Sequence, residues 1–485
     1  MVDHRITPLL CAALGTAAGF YFLSSLVLSA AIVIVVLSVF ALSFFRVLAS
    51  LRQERKLQIT AYCLSALSAG LVLGICASAA GRVPVNFGLP HDKVTAIEGV
   101  LLEDPRIISG GRAIASLSLR RSAGAGSLRA ASSGEITVFF SQDSAQRLRQ
   151  SGRGTVVFAE GRLRSNDSGY SFSAESLHVV KRASPVERMR TSIRLNLIKR
   201  FDGKAWGGLA LALLVGIKDN LDTNLAAMYR DSGCSYILAL SGMHLAVLAG
   251  LIAFFLRKPL GLKLSALTGA AIICLYCFLV GPMPSLNRAA LMYLLGVVAI
   301  LGALPREPMS ILALSFLIQI TVTPSAGNSI SFILSYLALA GIFVIGQPLY
   351  ALAAGKVPDI LLQPLSASIG AFLATAGVTC FTFGVIAPVG IVTGLALVPL
   401  TTVYMIGSMI WLLLDIFSIS GFLNLPLSLL YRLMEKIVSV SGKVPVFTSL
   451  NPFLILTLSI ILTLLILIPE YKRRACLLRL QPFKI

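Results

Sequence analysis

Long apolar blocks fill most of the chain, and a single internal stretch, residues 82–180, breaks them with charges, glycines and short alternating runs. A membrane helix needs about 20 consecutive apolar residues. Residues 8–45 read as two such helices joined near Ser24 and Ser25, and residues 58–80 as a third. The loop holding Arg46, Arg52, Arg55 and Lys56 against Glu54 marks the cytoplasmic side. Three crossings therefore carry the chain to the external face. No small-residue cleavage site follows the first block, which is expected to stay as a membrane helix.

Alternation of period two places five strands in the polar stretch, at 94–102, 112–120, 135–141, 154–163 and 170–179. Turn residues separate them at Gly110-Gly111, Gly124 to Gly126, Gly152 to Gly154 and Asn166 to Gly169. Five short strands suit a small closed barrel of the OB type, with a β-sandwich piece as the competing arrangement. Next, Met189, Ile193, Leu197 and Phe201 recur at helical spacing among arginines and lysines, which predicts an interfacial amphipathic helix. The apolar run after it, from Gly207, is too short to cross and reads as a re-entrant or packed segment.

From Tyr236 the blocks predict crossings at 236–256, 264–281, 286–304, 308–323, 329–349, 364–385, 388–414 and 450–469. Loops on the expected cytoplasmic side carry Arg257, Lys258, Lys263, Arg306, Lys356, Arg432, Lys436 and Lys443, whereas the turns at 282–284, 324–328 and 386–387 carry no Lys or Arg. About eleven crossings from a cytoplasmic N-terminus leave the tail outside, against the preference of Lys472, Arg473 and Arg474. Either a segment near 417–449 is an additional crossing or the tail breaks the rule.

Composition sharpens this picture. The chain is 56% hydrophobic with a mean hydropathy of +0.86, which excludes an ordinary soluble domain. Net charge is +20, of which part is ordinary positive-inside charge. Between Gly81 and Arg200, 19 Lys and Arg face 10 Asp and Glu, and a translocated domain owes nothing to that rule. The local excess therefore points to an anionic partner. Arg120, Arg121, Arg129, Arg147, Arg149, Arg153, Arg162 and Arg164 accompany Phe139, Phe140, Phe158, Tyr170 and Phe172, the mixture that a single-strand surface needs. The plainer alternative makes the rings barrel core and the arginines a solvated or headgroup-facing surface.

Eight cysteines show no pairing pattern, and Cys274 and Cys277, a CxxC within a lipid-length helix, read as free thiols like the rest. No phosphate-cradling loop and no histidine cluster occurs, so no enzymatic activity, metal or cofactor is expected.

Three polar groups interrupt the apolar blocks. In SYILALSGMHLAVLAG, Gly242, Ala246 and Gly250 form a small-residue packing face, while Ser241 and His244 lie on another. An intramembrane histidine is costly, which suits either a polar cavity or an interhelical hydrogen bond. In GPMPSLNRAALM, Arg288 lies in the first turn of a helix, where it could receive a phosphate or snorkel to headgroups. Ser331 and Ser335 stand at i, i+4, able to line a pore or to bond helix carbonyls.

Together these segments resemble the ComEC family of competence proteins. LALSGMHLAVLAG is similar to the family hallmark, with Met243 where leucine is usual; Pro284, Ser285, Arg288 and Ala289 match its Pro-Ser-x-x-Arg-Ala; and Ser331, Phe332, Leu334 and Ser335 match its Ser-Phe-x-Leu-Ser. The likeness covers nearly the whole chain, including the order of three helices, an external OB-like domain and a polytopic domain. Two departures stand out. The chain stops before the metallo-β-lactamase-like domain of many members, and Gly394 stands where an asparagine is frequent.

The resemblance implies an inner-membrane channel that passes single-stranded transforming DNA into the bacterial cytoplasm. The expected organisation is three helices (1–81), the external OB-like domain (82–185), the amphipathic helix and re-entrant segment (186–222), the polytopic channel domain (223–470) and a basic tail (471–485). The channel residues would be Ser241, Gly242, His244, Arg288, Ser331 and Ser335. DNA-binding residues would be Arg120, Arg121, Arg147, Arg149, Arg162, Arg164, Phe139 and Tyr170. Expected partners are single-stranded DNA, membrane lipids, and a cytoplasmic ATPase or strand-binding proteins that supply energy, with homo-oligomer formation left open. The rivals are a secondary transporter of a small anionic or lipid substrate and a non-conducting competence scaffold.

Overall fold

The computed structural model describes residues 7–21, 55–81, 85–108, 111–124, 129–148, 151–166, 169–448 and 451–480. The second N-terminal helix expected within 8–45, the loop residues Arg46, Arg52 and Glu54, the arginine at 149 and the last five residues of the tail lie outside them. The chain divides into two compact units.

One unit comprises Arg82–Asp222 with Leu275–Pro282. Its main strands are β1 (Val94–Leu101), β3 (Ala113–Gly124), β5 (Glu135–Phe140), β6 (Val156–Asn166) and β7 (Gly169–Lys181), with short β2 (Arg106–Ile107) and β4 (Arg129–Ala131) added along β3. They fall where the alternation places them, and the alternation explains the burial. Ala113, Ala115, Leu117 and Leu119 of β3 point inward, and their neighbours in sequence do not. Pairing runs β1 to β6 to β7 to β5 to β3 and back to β1, which closes a five-stranded barrel. Only β5 and β7 pair in parallel. The interior packs Ile97, Leu117, Ile136, Val138, Phe140, Val157 and Phe172, and the helix Gln142–Leu148 adds Ala145 and Leu148.

After the barrel comes the helix Pro185–Phe201, capped by Ser184, whose hydroxyl accepts from the Glu187 amide at 3.3 Å. Its apolar stripe turns from outside to inside along the helix: Met189 and Ile193 are exposed, Leu197 is half-buried, and Phe201 is buried, as are Arg190 and Thr191 off the stripe. The short apolar run is the nine-residue helix Gly207–Val215, almost wholly buried.

The other unit comprises Met1–Gly81, Thr223–Cys274 and Met283–Ile485. Seven described helices are long and apolar enough to cross a membrane: Cys63–Gly81, Gly242–Val280, Pro284–Leu301, Ile330–Ala353, Asp359–Phe383, Val389–Asp415 and Pro452–Pro469. Pro8–Tyr21 and Pro308–Val322 are shorter apolar helices. The chain is a multi-pass membrane protein. Thr7–Tyr21 and Arg55–Gly81 run parallel and nearly touch backbone to backbone, since a Cβ at Gly15 would strike the Leu67 carbonyl and one at Gly70 the Ala12 carbonyl.

Gly242–Val280, at 39 residues, breaks at Gly261, where φ is 71° and ψ 178°, two residues after Pro259. The two halves fold back on each other, with Ile252 Cγ2 3.4 Å from where a Gly269 Cβ would be. The break falls in the basic loop expected there. The start of this helix corrects the sequence reading: 235–237 is a single 3₁₀ turn, and the helix begins at Gly242 rather than Tyr236.

Candidate functional site

Ser241 stands at the N-cap of that helix. Its hydroxyl accepts from the Met243 amide at 3.3 Å, and its own amide donates to His244 Nδ1 at 3.1 Å. This is a reciprocal capping box with a histidine in the place usually taken by Glu or Gln. The arrangement explains why the helix starts there, and it also sets the tautomer. A ring nitrogen that accepts from a main-chain N–H carries no proton, so the neutral imidazole holds its proton on Nε2. His244 is 1% exposed, and Nε2 has no hydrogen-bond partner among the described residues.

The second segment lies against the first. A Cβ at Gly242 would sit 3.2 Å from Arg288 Nη2 and 3.5 Å from Ala289 Cβ, so the glycine admits the guanidinium. Arg288, 7% exposed, does not snorkel. Its Nη1 donates to the main-chain carbonyl of Ser335, its Cζ lies 5.7 Å from the centre of the Tyr336 ring, and its Nε has no partner among the described residues. The Ser285 and Ser331 hydroxyls meet at 3.3 Å. All three sequence segments thus converge at the N-terminal turns of Gly242–Val280, Pro284–Leu301 and Ile330–Gly341.

Ser335 contributes a carbonyl rather than a hydroxyl. The small-residue face is real only at Gly242, because Ala246 is exposed and nothing lies within 4 Å of a Cβ at Gly250. Sequence reasoning missed the layer beneath. The Tyr336 hydroxyl donates to Gln319 Oε1 at 3.0 Å and lies 3.2 Å from Ser315 Oγ, so a buried polar chain runs from Arg288 into Pro308–Val322. Gln319, a lone amide in an apolar helix, was the available signal.

The turn that precedes Ser241 is anchored separately, on the start of Val389–Asp415. Gly233, at φ 71°, lies 2.8 Å by its Cβ position from Ala387 Cβ, and a Cβ at Gly394 would strike the Tyr236 hydroxyl. The 233–236 turn is thereby seated on the first turns of Val389–Asp415.

On the barrel, β5, β7 and β6 align Phe139, Ser173 and Arg162 in one outward row, with Thr137, the buried Ser171 and the exposed Arg164 in the next. Arg162 makes an exposed 3.4 Å ion pair with Glu175. Arg120 and Arg121 lie exposed near the far end of β3, and Arg147 is exposed on Gln142–Leu148, so neither joins this row. Tyr170 is not a free ring: it stacks on His91 at 4.7 Å, bonds His91 Nε2 at 3.1 Å and meets Phe87 edge-on. Phe140 and Phe172 are core.

A cluster in the same unit went unpredicted. Arg190, 2% exposed, grips both Asp104 oxygens, at 3.1 and 2.8 Å, and donates to the carbonyls of Phe278, Leu279 and Val280. Arg194 reaches Asp104 and the carbonyls of Leu279 and Val280. Two cations therefore cap a helix C-terminus, where unpaired carbonyls and the helix dipole favour them. Burial pushes the Asp104 carboxyl up, but the Arg194 charge, the Arg190 bonds and the Arg153 amide outweigh it and hold the group below the usual carboxylate range.

Comparison with known proteins finds that the family described as "Competence protein" matches residues 213–472, more than half of the chain. The chain is also similar to ComE operon protein 3 of Bacillus subtilis (strain 168), 28% identical over 137 residues. That alignment covers 27% of this chain and 17% of the relative's length.

Proposed function

Since the chain belongs to the competence protein family, we propose that it is the inner-membrane conduit through which single-stranded DNA enters the cytoplasm during natural transformation. The observation that carries this reading is the pair of unpartnered donors at the convergent helix starts, His244 Nε2–H and Arg288 Nε–H. Both are buried, both can only donate in these states, and each lies near the start of its own helix, the positive end of the dipole. A phosphodiester oxygen would satisfy groups that the protein leaves unsatisfied.

The barrel fits an OB-type collector outside the membrane. Its closed strand order and single parallel pair support that assignment, and the Phe139, Arg162 and Arg164 rows give it a ring and two cations side by side. In this reading the N-terminus is cytoplasmic, the chain makes about eleven crossings, and a cytoplasmic ATPase or strand-binding proteins supply the driving force. No bond is made or broken by the protein.

The test is uptake of labelled DNA by a deletion strain complemented with the wild type, His244→Ala or Arg288→Ala at equal membrane levels. Uptake that fails in the deletion strain and in both variants supports the conduit. A deletion strain that internalises and recombines DNA at the wild-type rate overturns it, and variants that retain full uptake favour a scaffold.

A further inference from the structure

Asn424–Ser441 falls outside the helices apolar enough to be recognised as crossings, yet its two ends are fixed at opposite ends of one that is. At its start, Trp411 Nε1 donates to Asn424 Oδ1 at 2.9 Å, and Leu427 Cδ2 lies 3.0 Å from a Cβ position at Gly407. These contacts are near the C-terminal end of Val389–Asp415. At its finish, the Cβ position of Gly442 is 3.6 Å from Asp231 Cβ, and Gly233, two residues on from Asp231, packs against Ala387 and Gly390. Five residues later Phe447 and Thr448 pair with Ile386 and Val385, just before Val389–Asp415 begins. The helix therefore runs antiparallel to that crossing. Its 18 residues rise about 27 Å, close to the roughly 30 Å of a bilayer core.

Its sequence is unlike that of its neighbours. Leu427, Met434 and Val438 face inward and are buried. At 100° per residue, Ser428, Arg432, Glu435, Lys436 and Ser439 make a second stripe along the length of the helix. Leu429, Leu433 and Val440 form a third, exposed and apolar. Arg432 and Lys436 are exposed, with no carboxylate within ion-pair distance among the described residues. Arg432 is eight residues from one end of the helix and Lys436 five from the other. Charges at that depth do not face lipid without a large penalty, and they are found against water-filled paths or partners.

We propose that Asn424–Ser441 is a further membrane crossing whose Ser428, Arg432, Lys436 and Ser439 stripe borders an aqueous path for the phosphodiester backbone of the passing strand. The ligand in this inference rests on the conduit reading, and the crossing does not. One consequence concerns the tail. Phe447–Thr448 lies level with Val385–Ile386, so Pro452–Pro469 carries the chain to the opposite side, that of Lys356. Lys472, Arg473 and Arg474 then join Arg257, Lys258 and Lys263 on the basic, cytoplasmic side, and the charge conflict disappears.

The test uses the full-length protein in native membranes. Cysteines introduced by Ser428→Cys, Arg432→Cys and Ser439→Cys are compared with Leu429→Cys, Leu433→Cys and Val440→Cys, each treated with a charged, membrane-impermeant thiol reagent and read site by site by mass spectrometry. The stripe positions are expected to react at least tenfold faster than the apolar positions, and tags at 421 and 446, on either side of the helix, to be reached from opposite faces. Equal reaction at all six positions, or both tags on one face, overturns the crossing. Arg432→Gln with Lys436→Gln, at wild-type membrane level, is expected to lower labelled-strand uptake about tenfold. Unchanged uptake in a strain where Arg288→Ala abolishes it removes the strand as the ligand. A deletion strain with normal uptake refutes the conduit and with it this ligand, while the labelling pattern still decides the crossing.

Discussion

Arg190 holds Asp104 through two parallel hydrogen bonds while also donating to the last carbonyls of a helix and, at 3.5 Å, to Glu187. The pair is buried on the arginine side, so removing the Asp104 carboxylate leaves the Arg190 charge to the longer contact with Glu187. Asp104→Ala is expected to destabilise the protein by about 3 kcal/mol, the lower end of the range for breaking a buried pair. Thermal unfolding in detergent, followed by the tryptophan signal, measures it.

The same pair fixes a pH response. Asp104 is held below its unfolded pKa, so its contribution to stability is complete above about pH 4, the ordinary aspartate value, and is lost as pH falls through the lower folded value. The melting temperature of the wild type is expected to drop more steeply below pH 4 than that of Asp104→Asn, which has no proton to gain.

Arg288→Lys keeps the charge but loses the planar fork that reaches the Ser335 carbonyl while stacking on Tyr336. Uptake is expected to fall about tenfold, the effect of losing one charged hydrogen bond of roughly 1.5 kcal/mol. Gln319→Leu, which removes the shorter of the two acceptors near the Tyr336 hydroxyl and leaves Ser315 Oγ, is expected to produce a smaller loss in the same assay.

On the barrel, Arg162→Gln with Arg164→Gln is expected to flatten the dependence of single-strand affinity on salt by up to about 1.4 in the log–log slope, two phosphates at 0.7 each. The Arg162–Glu175 pair will not mask this, since exposed pairs contribute about 0–1 kcal/mol. Phe139→Ala is expected to cost about 1–3 kcal/mol of affinity without changing the slope. Titration of full-length protein at several salt concentrations separates the two. Tyr170→Ala is expected to perturb the fold first, because its ring is already committed to His91 and Phe87.

Replacing Gly70 with Leu would drive a side chain into the Ala12 carbonyl. A loss of about 1–3 kcal/mol, as for other overpacked contacts, is expected. Protease susceptibility of the N-terminal helices in detergent reports it.

Strand positions were legible because alternation is a local property, and Leu117 or Val138 needs only its own neighbours to declare its face. The fold-back at Gly261 was legible for a similar reason, since Pro259 and the basic residues flank it. What the sequence hides is who meets whom. Spacing put Arg190 among the solvated arginines of an amphipathic helix, whereas the carbonyls that bury it come from 278–280. Ser241 read as part of a continuous helix because nothing in its neighbours announces that His244 will reach back to its amide. Asn424–Ser441 escaped a hydropathy reading because a helix with one polar stripe averages to an unremarkable value.

The vacancy at Gly394 binds the fate of two distant positions together. Tyr236 needs the space that any side chain there would take, so an asparagine at 394 requires a smaller or differently turned residue at 236. Because Tyr236 is half-exposed, its ring has somewhere to go: a side chain at 394 is expected to turn it outward and to loosen the seat of the 233–236 turn on Val389–Asp415.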